Sequence, residues 1–203
     1  MPATDLRRVR RWLWAAVALV AVAASVALWR PAPKNQVAED YASAFGGPFS
    51  LTDTQGRTVT DATLRGKPFA IFFGFTHCPD VCPTTLQMMV RLRQNLGADG
   101  DRLNIVFVSV DPERDTPAEI GHYLTMFDTP IIGLTGNPAQ LKAIVDAYHV
   151  FYEKVPIEGG DYVVDHTASV FLMDADGRFF STLDHKEGEA PKLAKLKRLL
   201  REG

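Results

Sequence analysis

The sequence predicts an α/β fold, a mixed sheet flanked by helices and preceded by one N-terminal transmembrane helix. Three observations carry this expectation. A continuous apolar run, Phe69 to Phe75, and a mostly apolar one, Leu103 to Val110, have the pattern of strands buried on both faces, with a helical repeat between them. Strand, helix, strand in that order demands a right-handed parallel crossover. Later, ASVFLMD and RFFSTLD flank a turn at Asp176-Gly177, a hairpin that adds antiparallel strands. Both cysteines of the chain, Cys78 and Cys82, fall where the first buried strand passes into its helix. That placement makes a thioredoxin-like α/β fold the natural candidate.

The first residues set the compartment. MPATDLRRVRR, residues 1–11, carries four arginines, and the apolar stretch from Trp12 to Trp29 has Ser25 as its one polar residue. At about 1.5 Å per residue, a helix of that length spans about 27 Å, close to the hydrocarbon thickness of a bilayer. All three tryptophans (Trp12, Trp14, Trp29) lie near its ends, where amphipathic rings prefer the interface. The arginines keep the amino end in the cytoplasm, so the domain is expected to face outward. A cleaved signal peptide is the competing reading, but the apolar run is longer than a usual signal core. No transit peptide precedes the anchor, so a bacterial inner membrane with a periplasmic domain is expected. Residues 1–11 are then a cytoplasmic basic segment, 12–29 the anchor, 30–47 a Pro-containing linker, and 48–203 the thioredoxin-like domain.

Composition fits that division. The 203 residues are 46% hydrophobic and 23% charged, enough apolar material for one good core. The net charge is −2 and no basic run follows the first few residues, which argues against nucleic-acid binding.

Within the domain, PFSLTDTQGRTVT reads as a hairpin around Gln55-Gly56. After Cys82, Pro83 suits the first helical position, and Leu86, Met89, Val90, Arg93 and Leu96 follow on one helical face. A helix is expected from Thr116-Pro117, a short strand at IIGL, and a helix capped by Asn137 with Pro138 at its first position. VFYEKVPI reads as a strand or hairpin arm, and APKLAKLKRLLREG as a closing amphipathic helix.

GFTHCPDVCPTT, residues 74–85, carries the chemistry. Cys82 next to Pro83 lies at a helix amino terminus, where free N–H groups and the positive dipole end stabilise a thiolate. Cys78 sits four residues earlier in a loop stiffened by Pro79. Outside the cytoplasm such a pair can oxidise unless it is reduced or metallated. Structural disulfide, redox pair and metal site are therefore all open. The disulfide is weakest, since a five-residue loop removes little chain entropy. A peroxidase also fits poorly, because Thr76 stands two residues before Cys78 and not three.

A metal needs further ligands. His122 and His149 lie in helical patterns, His185 in a polar stretch, and His77 adjoins Cys78, where neighbouring side chains diverge. His166 differs: in DYVVDHTAS it precedes the apolar strand ASVFLM, at the place where a thioredoxin loop facing the redox pair carries a cis-proline. Two thiolates and one imidazole suit copper(I), with room for a further ligand on copper(II). Asp111-Pro112 reads as a turn and Asp115 or Thr116 as a helix cap, with tuning of the site or marking of a docking surface by one of the two aspartates as the weaker reading. Asp165 reads as an acceptor that could orient His166.

FGFTHCPDVCPTTL, VSVDPERDTP and DYVVDHTASVFLMDADGRF together resemble the signature blocks of the Sco (SenC/PrrC-type) proteins. The resemblance covers about residues 45–200 in the same block order, and anchor and linker match too. It implies a membrane-anchored, thioredoxin-fold copper chaperone that assists assembly of cytochrome c oxidase, not a turnover enzyme. It places the copper ligands on Cys78, Cys82 and His166. The partner it implies is the copper-bearing oxidase subunit, beside other periplasmic copper chaperones or thiol reductants. The same two cysteines would also serve thiol-disulfide exchange, and a membrane-anchored oxidoreductase with incidental metal binding is the competing function.

Overall fold

A computed structural model describes residues 4–28 and 43–203, divided into two compact units, Met1–Glu39 and Asp40–Gly203. In the first unit, α1 runs over Thr4–Leu28. Its segment Arg8–Val26 is long and apolar enough to cross a membrane, by length and composition. The Ser25 hydroxyl donates to the Ala21 carbonyl at 2.8 Å, so the one polar side chain of the stretch is satisfied within its own helix. The helix starts inside the basic segment, before Trp12, because arginine is as good a helix former as leucine. Trp29 and the linker over 30–42 lie outside the described residues.

The second unit is built on the two apolar runs. They form β3 (Phe69–Gly74) and β4 (Asn104–Ser109), parallel and paired from Phe69↔Asn104 to Gly74↔Ser109. All six residues of β3 are buried, as a strand covered on both faces requires. IIGL supplies β5 (Ile132–Thr135), parallel to β4. The first hairpin, β1 (Ser50–Asp53) and β2 (Thr58–Thr60), joins β5 through β1 in antiparallel sense. The late hairpin, β8 (Val170–Met173) and β9 (Phe179–Leu183), joins the other edge of β3. The sheet order is β2-β1-β5-β4-β3-β8-β9, a mixed sheet with three parallel strands at its centre.

Both hairpins turn on one device. Asp53 Oδ1 accepts the N–H groups of Gln55 and Arg57, and Asp174 Oδ1 accepts those of Asp176 and Arg178. Gly56 (φ +78°) and Gly177 (φ +80°) take the left-handed residue that each turn needs.

Helices cover both faces. The short helix α2 (Asp61–Leu64) follows β2, and α3 (Val81–Asn95) follows β3. Pro117 and Pro138 open α4 (Pro117–Leu124) and α5 (Pro138–Tyr148), behind side-chain caps from Thr116 and Asn137 as their sequences predict. Tyr148 of α5 packs on Phe73 and Phe171 of one face. On the other, Tyr123 of α4 packs on Phe107 and the start of α3 lies over Gly74. The chain closes with α6 (Glu189–Glu202), which packs on α3 and buries Leu196, Leu199 and Leu200.

Two elements depart from expectation. The arm VFYEKVPI forms β6 (Tyr152–Pro156) as expected of a hairpin arm, but DYVVDH is itself a strand, β7 (Tyr162–His166), pairing with it in a separate two-stranded sheet. His166 is thus the last residue of a strand, opposite Tyr152, and not part of the loop that enters β8. The second departure is that α3 starts at Val81, two residues before Pro83. All N–H groups of the first helical turn lack intrahelical acceptors, so proline fits its third position as well as its first.

Candidate metal centre

Strand β3 ends at Gly74, and the chain turns through Phe75, Thr76 and His77 into Cys78. The Cys78 N–H donates to the Phe75 carbonyl at 3.3 Å, which curls the loop back over the strand end. Cys82, second residue of α3, is fully buried over Gly74. A Cβ at Gly74 would lie 2.7 Å from Cys82 Sγ and 3.0 Å from Phe107 Cε2, so only glycine leaves room for the sulfur. The fold requires this glycine for a close approach and not for its backbone angles.

His166 reaches the pair from the hairpin. Its Nε2 lies 3.4 Å from Cys82 Sγ, and its ring stands edge-on to Phe72 and Phe75, both at 5.9 Å between centroids. Nδ1 lies 3.0 Å from the Thr167 carbonyl oxygen, which can only accept. This contact assigns the proton to Nδ1 and leaves the Nε2 lone pair facing the sulfurs. Ligand atoms of Cys78, Cys82 and His166 all lie within 4.8 Å of one another. Two soft sulfurs and an imidazole in that spacing are a donor set for a thiophilic ion, copper(I) above all.

The thiolate falls on the other cysteine from the one expected. Cys78 is half-buried before the amino end of α3 and accepts the N–H of Cys82 at 3.4 Å. Its thiol is lowered to about 4, chiefly by the hydrogen bond from the Cys82 thiol, then by the N–H groups of Cys82 and Asp80. Cys82 is driven in the opposite direction by that same contact and by its burial. One proton is thus held between the two sulfurs, on the buried one, and the open ends of the helix serve its partner in the loop.

Two buried aspartates frame the loop, in a way that their turn-and-cap reading misses. Thr116, and not Asp115, caps α4, and Asp111 does close a turn through its carbonyl, which accepts the N–H groups of Arg114 and Asp115. Their carboxylates do more. Asp115, fully buried, accepts from the Thr76 N–H (2.9 Å), the Thr76 hydroxyl (2.6 Å) and the Ser109 hydroxyl (2.6 Å). It therefore anchors the residue two before Cys78. Asp111, equally buried, accepts from Arg114 Nε at 2.5 Å and from the Tyr162 hydroxyl at 2.8 Å. Asp165 is exposed in register with Glu153, and the Thr167 carbonyl, not Asp165, orients the imidazole. Of the other histidines, His77 is exposed and turned toward Thr76, His122 and His185 are exposed, and His149 caps α5 against the ring of Phe45.

Beside the three candidate ligands a groove of about 280 Å³ opens between Pro79, Asp80 and Val81 on one wall and Val163, Asp165 and Ala168 on the other. Cys78 and His166 form part of its lining, so the site is reachable from outside.

Comparisons with known proteins place the chain in a family. A family model described as SCO1/SenC matches residues 37–201. The mitochondrial SCO1 homolog 1 of Arabidopsis thaliana is 42% identical over 141 residues, covering 68% of this chain and 41% of that protein. The chain spans about half the length of the curated relatives it matches. A structure of Bradyrhizobium japonicum ScoI with copper bound aligns with TM-score 0.71 and 51% identity, over 77% of this chain and 99% of the other. Yeast Sco1 with copper bound aligns with TM-score 0.73 and 35% identity, over 79% and 90%.

Proposed function

The chain belongs to the SCO1/SenC family, and from that premise we propose that it is a copper metallochaperone whose cargo is held by Cys78, Cys82 and His166. The observation that carries the proposal is the convergence of the three donor atoms within 4.8 Å, with Nε2 unprotonated and Cys78 already a thiolate. Copper(I) binding then needs only one proton to leave, that of Cys82. Copper-bound relatives of the same fold support the choice of ion. Its acceptor in this reading is the copper-bearing subunit of cytochrome c oxidase, whose assembly the family serves. Periplasmic copper donors and thiol reductants would act before it.

The apolar helix α1 is consistent with single-pass anchoring, amino end in the cytoplasm and domain in the periplasm of a bacterial inner membrane. Residues 12–29 form the anchor in this reading, 30–47 the linker and 48–203 the copper-binding domain. Anaerobic titration of the full chain in detergent tests the copper reading. One copper(I) per chain is expected, with Cys82→Ser abolishing high-affinity binding. A wild-type isotherm in Cys82→Ser contradicts it.

Thiol-disulfide exchange is a second use of the same sulfurs, favoured by one specific contrast: Cys78 is accessible and ionised, Cys82 buried and protonated. Cys78 would attack a partner disulfide, and Cys82, giving up its proton to the departing thiolate, would release the partner by closing the Cys78–Cys82 bond. Exchange with a model disulfide that needs both cysteines and survives His166→Ala separates this activity from copper binding.

A further inference from the structure

We propose that Arg114 is a positioning residue of the copper centre: it clamps the hairpin that carries His166, and so sets the imidazole over the cysteine pair. The proposal rests on the copper-ligand reading above.

The need for a clamp follows from topology. Strands β6 and β7 pair only with each other and share no ladder with the seven-stranded sheet that holds Cys78 and Cys82 in place. His166, at the end of β7, thus depends on side-chain contacts for its distance from the sulfurs. Arg114 makes two of the polar ones, beside the Tyr162–Asp111 hydrogen bond and the Lys154–Glu113 ion pair. Its Nε donates to the buried carboxylate of Asp111, and Nη1 donates to both the Tyr162 carbonyl and Asp161 Oδ1 at 3.0 Å. Its guanidinium lies 3.8 Å from the centre of the Tyr162 ring, with the Phe75 ring at 5.9 Å. Tyr162 returns its hydroxyl to the second oxygen of Asp111. The first residue of β7 is therefore gripped at its carbonyl, its ring and its hydroxyl by one Asp111–Arg114 pair.

Phe75 links this grip to the site, since the ring that faces Arg114 also packs edge-on against His166. The planar fork of arginine suits this role because it bonds along its edges while its face stacks, which a lysine ammonium does not. The loop that carries Arg114 also carries Asp115, which holds Thr76 before Cys78. One short segment, Asp111 to Asp115, thus references both halves of the centre to the end of β4.

A structural ion pair alone would stabilise the fold without acting through His166, and the test separates the two. Full-length protein in detergent is loaded with one equivalent of copper(II). Imidazole nitrogen hyperfine coupling and copper affinity are then measured for Arg114→Met, His166→Ala and the double variant. Arg114→Met is expected to lose the nitrogen coupling and weaken binding about tenfold or more, as loss of a group behind a metal ligand commonly does. The double variant is expected to bind no more weakly than His166→Ala alone. Retained coupling and affinity in Arg114→Met, or losses that multiply in the double variant, would overturn the clamp. If Arg114→Met does not fold, Tyr162→Phe carries the same comparison. A weakening that vanishes in the His166→Ala background upholds the proposal, and one of equal size in both backgrounds refutes it. Failure of the underlying ligand reading looks different: His166→Ala itself would then keep the coupling and affinity of the wild type.

Discussion

The two halves of the proposed copper site are mounted in opposite ways. The cysteine half grows out of the most buried part of the molecule: β3 is covered on both faces, Cys82 is fully buried, and Asp115 ties the intervening loop to Ser109 at the end of β4. The histidine half stands on a two-stranded hairpin, outside the main sheet, in which Val164 is the one buried residue. Sulfur positions are therefore a property of the core, and the imidazole position is a property of a few polar and aromatic contacts. Local stability in proteins follows the density of buried contacts, so the third ligand belongs to the region that opens at lower cost. In the proposed copper carrier, such a division would fix the pair that captures the ion and leave the ligand that completes its shell separately adjustable.

That contrast can be broken or sharpened from the cysteine side. The largest effect is expected for Asp115→Ala, which leaves the Thr76 N–H and hydroxyl and the Ser109 hydroxyl without their buried acceptor. A loss of about 3 kcal/mol in urea unfolding is expected. A loss below about 0.5 kcal/mol, the range of an ordinary surface substitution, would show that the loop is not anchored this way. Next comes Gly74→Ala. Its methyl would meet Cys82 Sγ and Phe107, so a destabilisation of about 2 kcal/mol is expected together with weaker copper binding. Native stability and affinity in this variant would mean that the sulfur has freedom that the structure does not show. The smallest perturbation is pH, read by alkylation of the metal-free protein. Cys78, lowered to about 4, is charged above that pH, so it should react in preference to Cys82 already at pH 6, its rate falling only as acid approaches its midpoint. A rate for Cys78 that keeps climbing toward pH 9, as for an ordinary thiol, contradicts the shared-proton arrangement.

Much of this architecture is legible in the residues. Apolar runs announce β3 and β4, and Thr116-Pro117 and Asn137-Pro138 announce α4 and α5, because a cap followed by proline is a local signal with a local cause. The cysteine spacing announces a site at a strand-to-helix junction. The place of His166 before the strand ASVFLM, where a thioredoxin fold carries its cis-proline, singles it out as third member, as does the resemblance to the Sco blocks. Other features resist. Strand β7 is short and half exposed, so its alternation is weak, and a histidine at its end reads as loop. The start of α3 is hard to place because proline is tolerated through the whole first turn. Asp111 and Asp115 look like turn residues locally, and their actual partners, Tyr162 and Thr76, lie 51 and 39 residues away. Gly74 and Arg114 lie inside the Sco-like blocks without a role legible there; only the packed structure shows what they touch.

The central claim is that one ion is held by two sulfurs from the core and one imidazole from the hairpin. X-ray absorption of the copper(I)-loaded full-length protein tests it most directly, with His166→Ala measured alongside. Two sulfur scatterers and one imidazole nitrogen per copper are expected, the nitrogen disappearing in the variant while both sulfurs remain. A wild-type spectrum with no imidazole contribution, or one that His166→Ala leaves unchanged, would contradict the account.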